Sequence, residues 1–178
     1  MRLQHIKLRS KRGFSIAEVL LAVGILGFAL CGILATYLAC FNLASISKNT
    51  NIATSAAQGI IEQIRATPFT TLWDTSLQKS QIELNGNFYN LTHVSGNRWS
   101  LTFMVNNMPA NMGIAYIDID NTTTPKILTA TVSVCWKQGD KIIGEDVNLN
   151  GVLNAGEDTN GNGLIDSPME LITQIANR

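Results

Sequence analysis

The chain opens with a polar, basic stretch and then runs from 19 to 41 as VLLAVGILGFALCGILATYLACF, without one charge. Folded as a helix at about 1.5 Å per residue, such a run covers the ~30 Å of a hydrocarbon layer. Past Phe41 polar residues return, but apolar ones recur at helical spacing: Ile52, Ala53, Ala56, Ala57, Ile60, Ile61 and Ile64. Asn49, Thr54, Ser55, Gln58, Glu62, Gln63 and Arg65 fill the other faces. Pro68 ends the pattern, because the residue before a proline avoids the helical region. One helix over 14–66 is predicted, with a membrane half (14–41) and an amphipathic half (42–67). Two helices broken near 42–51 are the alternative. Phe69, Leu72 and Trp73 follow as an apolar patch.

From residue 80 the period changes to two. Segments 81–84 and 88–94 flank Asn85-Gly86-Asn87, a hairpin signal. Segment 98–105 alternates Trp99, Leu101, Phe103 and Val105 with polar or smaller neighbours, and 114–119 and 127–136 continue the series. Val132, Val134 and Trp136 share one face. Antiparallel strands over 68–178, packed on the amphipathic half-helix, give an α+β fold.

Charge adds an asymmetry that the net value of zero conceals. Arg2, Lys7, Arg9, Lys11 and Arg12 crowd the first 13 residues, which hold no acid, so the remainder carries an excess of acids. A basic head before an apolar run points to a membrane, with 1–13 kept in the cytoplasm and the C-terminal part outside. A secretory signal would have a core of only about 7–15 apolar residues and a small-x-small cleavage site. This run is longer and has no clean site of that type. A lipoprotein signal fails too, because Phe28-Ala29-Leu30 precedes Cys31. Nothing here matches the basic, aromatic-interleaved surface of a nucleic-acid binder. Glu18 is the anomaly beside the apolar run, since a carboxylate at membrane depth costs about 2.5–3.5 kcal/mol unless it has a partner or stays near the headgroups.

The stretch Lys11-Arg12-Gly13-Phe14-Ser15-Ile16-Ala17-Glu18-Val19-Leu20-Leu21 resembles the prepilin signature of type IV pilins and type II secretion pseudopilins. Ser15 replaces the common threonine and Ala17 a frequent bulky residue. The resemblance implies a leader, 1–13, cut by a membrane prepilin peptidase between Gly13 and Phe14, with N-methylation of Phe14. Glu18 then becomes the fifth mature residue. In a filament core its carboxylate would pair with the Phe14 ammonium of a neighbouring subunit, fixing register as a polar core residue does in a coiled coil. The passages 57–66, 68–72 and 129–136 look like PilV-like minor pilins and the equivalent minor pseudopilins. That likeness implies a pilin fold whose hairpin returns to a final strand at 169–175.

Chemistry narrows further. Cys31, Cys40 and Cys135 are too few for a disulfide framework and read as small buried hydrophobes. His5 and His93 have no identifiable catalytic partner, and no nucleotide loop, HExxH or nucleophile elbow is present. An enzyme is not expected. Segment 144–168, GEDVNLNGVLNAGEDTNGNGLIDSP, contains two Asp-x-Asn-x-Asn-Gly units. In the first, Asp146, Asn148, Asn150, the Val152 carbonyl and Glu157 stand at positions one, three, five, seven and twelve of an EF-hand loop, with Gly151 at six. The second has Asp158, Asn160, Asn162, Gly163, the Leu164 carbonyl and Asp166, but its twelfth position is Met169. It resembles the shorter Asp-rich loops of extracellular calcium repeats, completed by either Glu157 or Glu170. Neither loop has flanking EF-hand helices. Hard oxygen donors suit one or two calcium ions and not zinc, with affinity on the order of 10⁻⁴–10⁻³ M. A flexible Asn/Gly-rich turn with incidental charge is the alternative.

The expectation is therefore a minor pilin-like subunit in the bacterial inner membrane, single-pass with its head outside, then part of a type IV pilus. Its partners would be other pilins, the inner-membrane assembly platform and the prepilin peptidase. A minor pseudopilin of type II secretion is the near alternative. A membrane-anchored, extracytoplasmic calcium-binding module that never polymerises is the alternative of a different class.

Overall fold

Helix α1 spans Ile16–Ala66 as one uninterrupted element of 51 residues, in a computed structural model that describes residues 13–72, 80–119 and 127–177. Its start falls two residues later than expected because Ser15 serves as the cap. The Ser15 hydroxyl accepts the Ala17 amide at 3.3 Å, and its carbonyl accepts the amides of Glu18 and Val19. Glu18 thus stands at capping-box spacing, at the electropositive end of the helix. At the far end the Thr67 amide reaches the carbonyls of Gln63 and Ile64. Pro68 then stops the helix and opens a further turn, in which Thr71 and Leu72 both donate to the Pro68 carbonyl. The helix is not broken near 42–51.

The chain divides into two compact units, 1–45 and 46–178. In the first, residues 13–45 are exposed throughout, and α1 is long and apolar enough to cross a membrane. Cys31 and Cys40 lie on this uncovered surface rather than in a core. Residues 1–12 of the expected leader lie outside the described residues, as does Trp73 of the expected apolar patch.

In the second unit the end of α1 buries Asn49, Ala53, Ala57, Ile60, Ile61 and Ile64, a stripe at three- and four-residue spacing. It packs on an antiparallel sheet of β1 (Gln81–Leu84), β2 (Asn87–Ser95), β3 (Arg98–Phe103), β4 (Asn111–Ile119), β5 (Ile127–Gln138), β6 (Lys141–Ile143) and β7 (Glu170–Ala176). The order is β1-β2-β3-β4-β5-β6, with β7 paired beside the first part of β5. Asn85 and Gly86 close the β1–β2 hairpin with φ of 50° and 81°, the left-handed pair that a two-residue turn requires.

Two differences from the expected strands have physical causes. Strand β5 runs past Trp136 because Lys137 and Gln138 pair with β6, a three-residue strand with no periodic signal of its own. Strand β7 begins at Glu170 because Met169 is buried in the core, its carbonyl accepting the Val134 amide. Near the hairpin, buried Asn49 of α1 donates to Gln138 at 2.6 Å.

The sheet has a core on each face. Ala115, Ile117, Leu128, Ala130, Val132, Val134 and Trp136 join the helix stripe. On the opposite face Ile114, Tyr116, Cys135 and Ile165 form a second cluster, covered by Met112, Leu149, Leu153 and Leu164. Three of these covering residues, with Ile165, come from the acidic segment between β6 and β7. That segment is a third layer.

Candidate functional site

Two places carry chemistry. The first is the start of α1. Gly13, Phe14 and Ser15 precede the helix, all are exposed, and Phe14 is 82% exposed. Among the described residues, a Cβ at Gly13 would meet nothing within 4 Å. Glu18 is exposed one turn further along. Each of these groups is free to meet another molecule.

The second is the segment between β6 and β7, which is built twice at an interval of 12 residues. Asn150 donates its amide to both Asp146 Oδ1 and Asn148 Oδ1, each at 3.0 Å. Gly151 donates to Asp146 Oδ2 at 2.8 Å, and Val152 to Asn150 Oδ1 at 2.8 Å. In the second copy Asn162 donates to Asp158 Oδ1 (3.1 Å) and Asn160 Oδ1 (3.0 Å). Gly163 donates to Asp158 Oδ2 (2.9 Å) and Leu164 to Asn162 Oδ1 (2.7 Å). The backbone repeats as well: Gly151 and Gly163 have φ of 74° and 72°, and Leu149 and Gly161 have 56° and 76°. Leu149 keeps this left-handed conformation although it is not glycine, while its side chain packs in the second core.

The two copies close on each other. Glu157, which opens the second copy, reaches back into the first: Oε1 accepts the Val147 amide at 3.1 Å and Oε2 the Asn154 amide at 2.8 Å. Glu145, which opens the first, reaches into the second, where Oε1 accepts the Thr159 amide at 3.1 Å and Oε2 the Asp166 amide at 3.2 Å. Val147 and Asn154 lie 12 residues before Thr159 and Asp166, so the exchange is reciprocal. Thr159 Oγ1 also donates to Glu145. Glu145 therefore holds in the second loop the place that Glu157 holds in the first. Sequence reasoning left the second loop to either Glu157 or Glu170 and missed Glu145, although the repeated Glu145-Asp146 and Glu157-Asp158 dipeptides carry the signal. Glu170 instead begins β7 opposite Ser133, and among the described residues nothing hydrogen-bonds its carboxylate.

Burial sorts the acids. Asp146 is fully buried and Glu157 is 6% exposed, yet among the described residues no ion pair reaches any acid of the segment. Burial alone would raise the Glu157 carboxyl, but the donors from Asn154 and Val147 outweigh it and hold it below the ordinary value. Glu170 is raised, first by burial and then by the charge of Asp166. Beneath the loops, burial pushes the Cys135 thiol up to about 11 and raises the Tyr116 hydroxyl, which accepts the Ile165 amide at 3.0 Å. Among the described residues no three His, Cys, Asp or Glu side chains gather as a metal-holding group. A cation here would depend on the asparagine and main-chain oxygens as much as on carboxylates, a donor set suited to a hard ion.

No protein-family model, no curated protein and no solved structure matches this chain.

Proposed function

We propose that the chain is a minor pilin-like structural subunit of a type IV pilus, with a pilin fold and a calcium-stabilised head. It is inserted in the bacterial inner membrane with its head outside, and assembled through its N-terminal helix with other pilins and the assembly platform. The observation that carries this reading is the first unit of α1. Its large apolar side chains, among them Leu20, Leu21, Ile25, Phe28, Ile33 and Leu38, are half exposed or more. Burying each such side chain is worth about 1.5–3 kcal/mol, so this surface calls for lipid and then neighbouring helices. Gly13-Phe14 and Glu18, the residues of the prepilin signature, stand at its head. Cleavage between Gly13 and Phe14 would create an ammonium, and Glu18 is the carboxylate within reach of it in a staggered neighbour.

In the head, Asp146, Asn148, Asn150, the Val152 carbonyl and Glu157 would hold one calcium ion. Asp158, Asn160, Asn162, the Leu164 carbonyl and Asp166 would hold another, closed by Glu145 rather than Glu170. A bound ion supplies the positive charge that buried Asp146 and Glu157 lack, and their amide donors orient the carboxylate oxygens.

The first test is the N-terminus and mass of the protein from its native membrane. A chain that starts at N-methylated Phe14 is expected. An intact Met1, or a start near residue 40, refutes the pilin reading.

A further inference from the structure

We infer that the paired acidic loops form a cation-controlled cover over the second core, and that losing the cation uncovers the β4–β5 face while the helix-side core stays folded. This rests on the calcium reading above and adds a conformational consequence to it.

The two cores share little besides β4 and β5. Along β4, Ala115 and Ile117 belong to the helix-side core, whereas Ile114 and Tyr116 belong to the other. Along β5, Val134 and Trp136 face the helix and Cys135 faces the loops. The ladder β3-β4-β5-β7 holds the strands together through backbone pairing that uses no atom of the loops. The cover is a different kind of object. Residues 144–168 contain no strand or helix.

Few bonds tie the cover to the sheet. Ile165 donates to the Tyr116 hydroxyl oxygen, and the Ser167 hydroxyl donates to the Val134 carbonyl. The Cys135 thiol lies against the Asp166 carbonyl, and the rest is contact from Leu149, Leu153, Leu164 and Ile165 and the close approach of Gly151 to Thr102 and Met112. Against these stand Glu145, Asp146, Glu157, Asp158 and Asp166, five acids within 22 residues, whose repulsion a divalent ion removes. Because Glu145 and Glu157 each bind the other copy's amides, the copies separate from the sheet together. Segments with few buried contacts and no ladder of their own open locally before the global transition.

Cys135 reports the event, since its thiol is buried under the cover and lies 3.8 Å from the Asp166 carbonyl. The full chain carrying Cys31→Ser and Cys40→Ser, held in detergent micelles, is labelled with a maleimide in calcium and in chelator. Calcium binding is followed by calorimetry, and amide exchange of β1–β3 by mass spectrometry. At calcium about a hundred times its Kd, opening should be suppressed roughly a hundredfold per ion released. Labelling should therefore slow by that factor, with β1–β3 equally protected in both conditions. Calorimetric binding with unchanged Cys135 labelling overturns the cover and leaves the calcium reading standing. Labelling that rises only together with loss of β1–β3 protection overturns it as well, because opening is then global. No calcium binding at all removes both.

Discussion

Gly151 and Gly163 occupy equivalent turns of the two loops with nearly the same backbone, φ of 74° and 72°, yet their surroundings differ. A Cβ on Gly151 would run into Thr102 Cγ2 of β3 and lie 3.3 Å from Met112 Cγ of β4. Among the described residues, a Cβ on Gly163 would find only Arg98 Nη1, at 4.0 Å. Alanine at either position takes the left-handed conformation at a cost of about 1–2 kcal/mol. At Gly151 overpacking adds about 1–3 kcal/mol, because Thr102 sits in a paired strand and its methyl cannot withdraw. Gly163→Ala should therefore cost the head about 1–2 kcal/mol and Gly151→Ala about 2–5 kcal/mol. The measurement is urea denaturation of the chain in mild detergent with calcium chelated, followed by tryptophan fluorescence and extrapolated linearly. Working without calcium separates packing from ion binding. Equal losses for the two variants would refute the placement of the first loop against β3 and β4.

Further predictions concern charge and processing. Because Glu157 has a lowered carboxyl pKa in the folded state, the unfolded chain takes up protons more readily as pH falls. The stability it supplies is complete above the ordinary value of 4.5 and is lost as pH drops through the folded value. Calcium-free protein should destabilise on acidification through this window, and Glu157→Gln should flatten the slope; a slope that survives the substitution contradicts the assignment. Glu170 is shifted the other way, so it opposes folding at neutral pH, and Glu170→Gln should leave the acid-side loss intact. On the proposed pilin reading, Glu18→Ala would leave the Phe14 ammonium unpaired in a filament, at about 3–5 kcal/mol. On that reading the variant should be depleted from sheared pili by immunoblot while leader cleavage continues, and Gly13→Val should block cleavage; normal incorporation of Glu18→Ala counts against the pairing.

Much of the architecture is legible because it depends on local rules. Pro68 ends the helix, Asn85-Gly86 turns the first hairpin, and the alternation in 127–136 marks the strand whose even-numbered residues meet the helix. The second core is not legible in this way. Ile114 and Tyr116 look like the outward residues of half-buried strands, and only the return of a long connection over them makes them interior. Strand β6 is hidden for a related reason: three residues carry too little pattern, and pairing with the end of β5 defines them. Within the loops, the asparagine and aspartate spacing is readable because each side chain serves an amide two to five residues ahead. The Glu145 contact spans 14 and 21 residues, and no local rule reaches that far.

The reciprocal closure has a consequence for how such a segment can change length. Each dodecad borrows its closing carboxylate from the other, so neither is complete alone. Removing 157–168 takes away the glutamate that fastens Val147 and Asn154; removing 145–156 takes away the one that fastens Thr159 and Asp166. Loss of either dodecad alone therefore leaves the other without the carboxylate that fastens it.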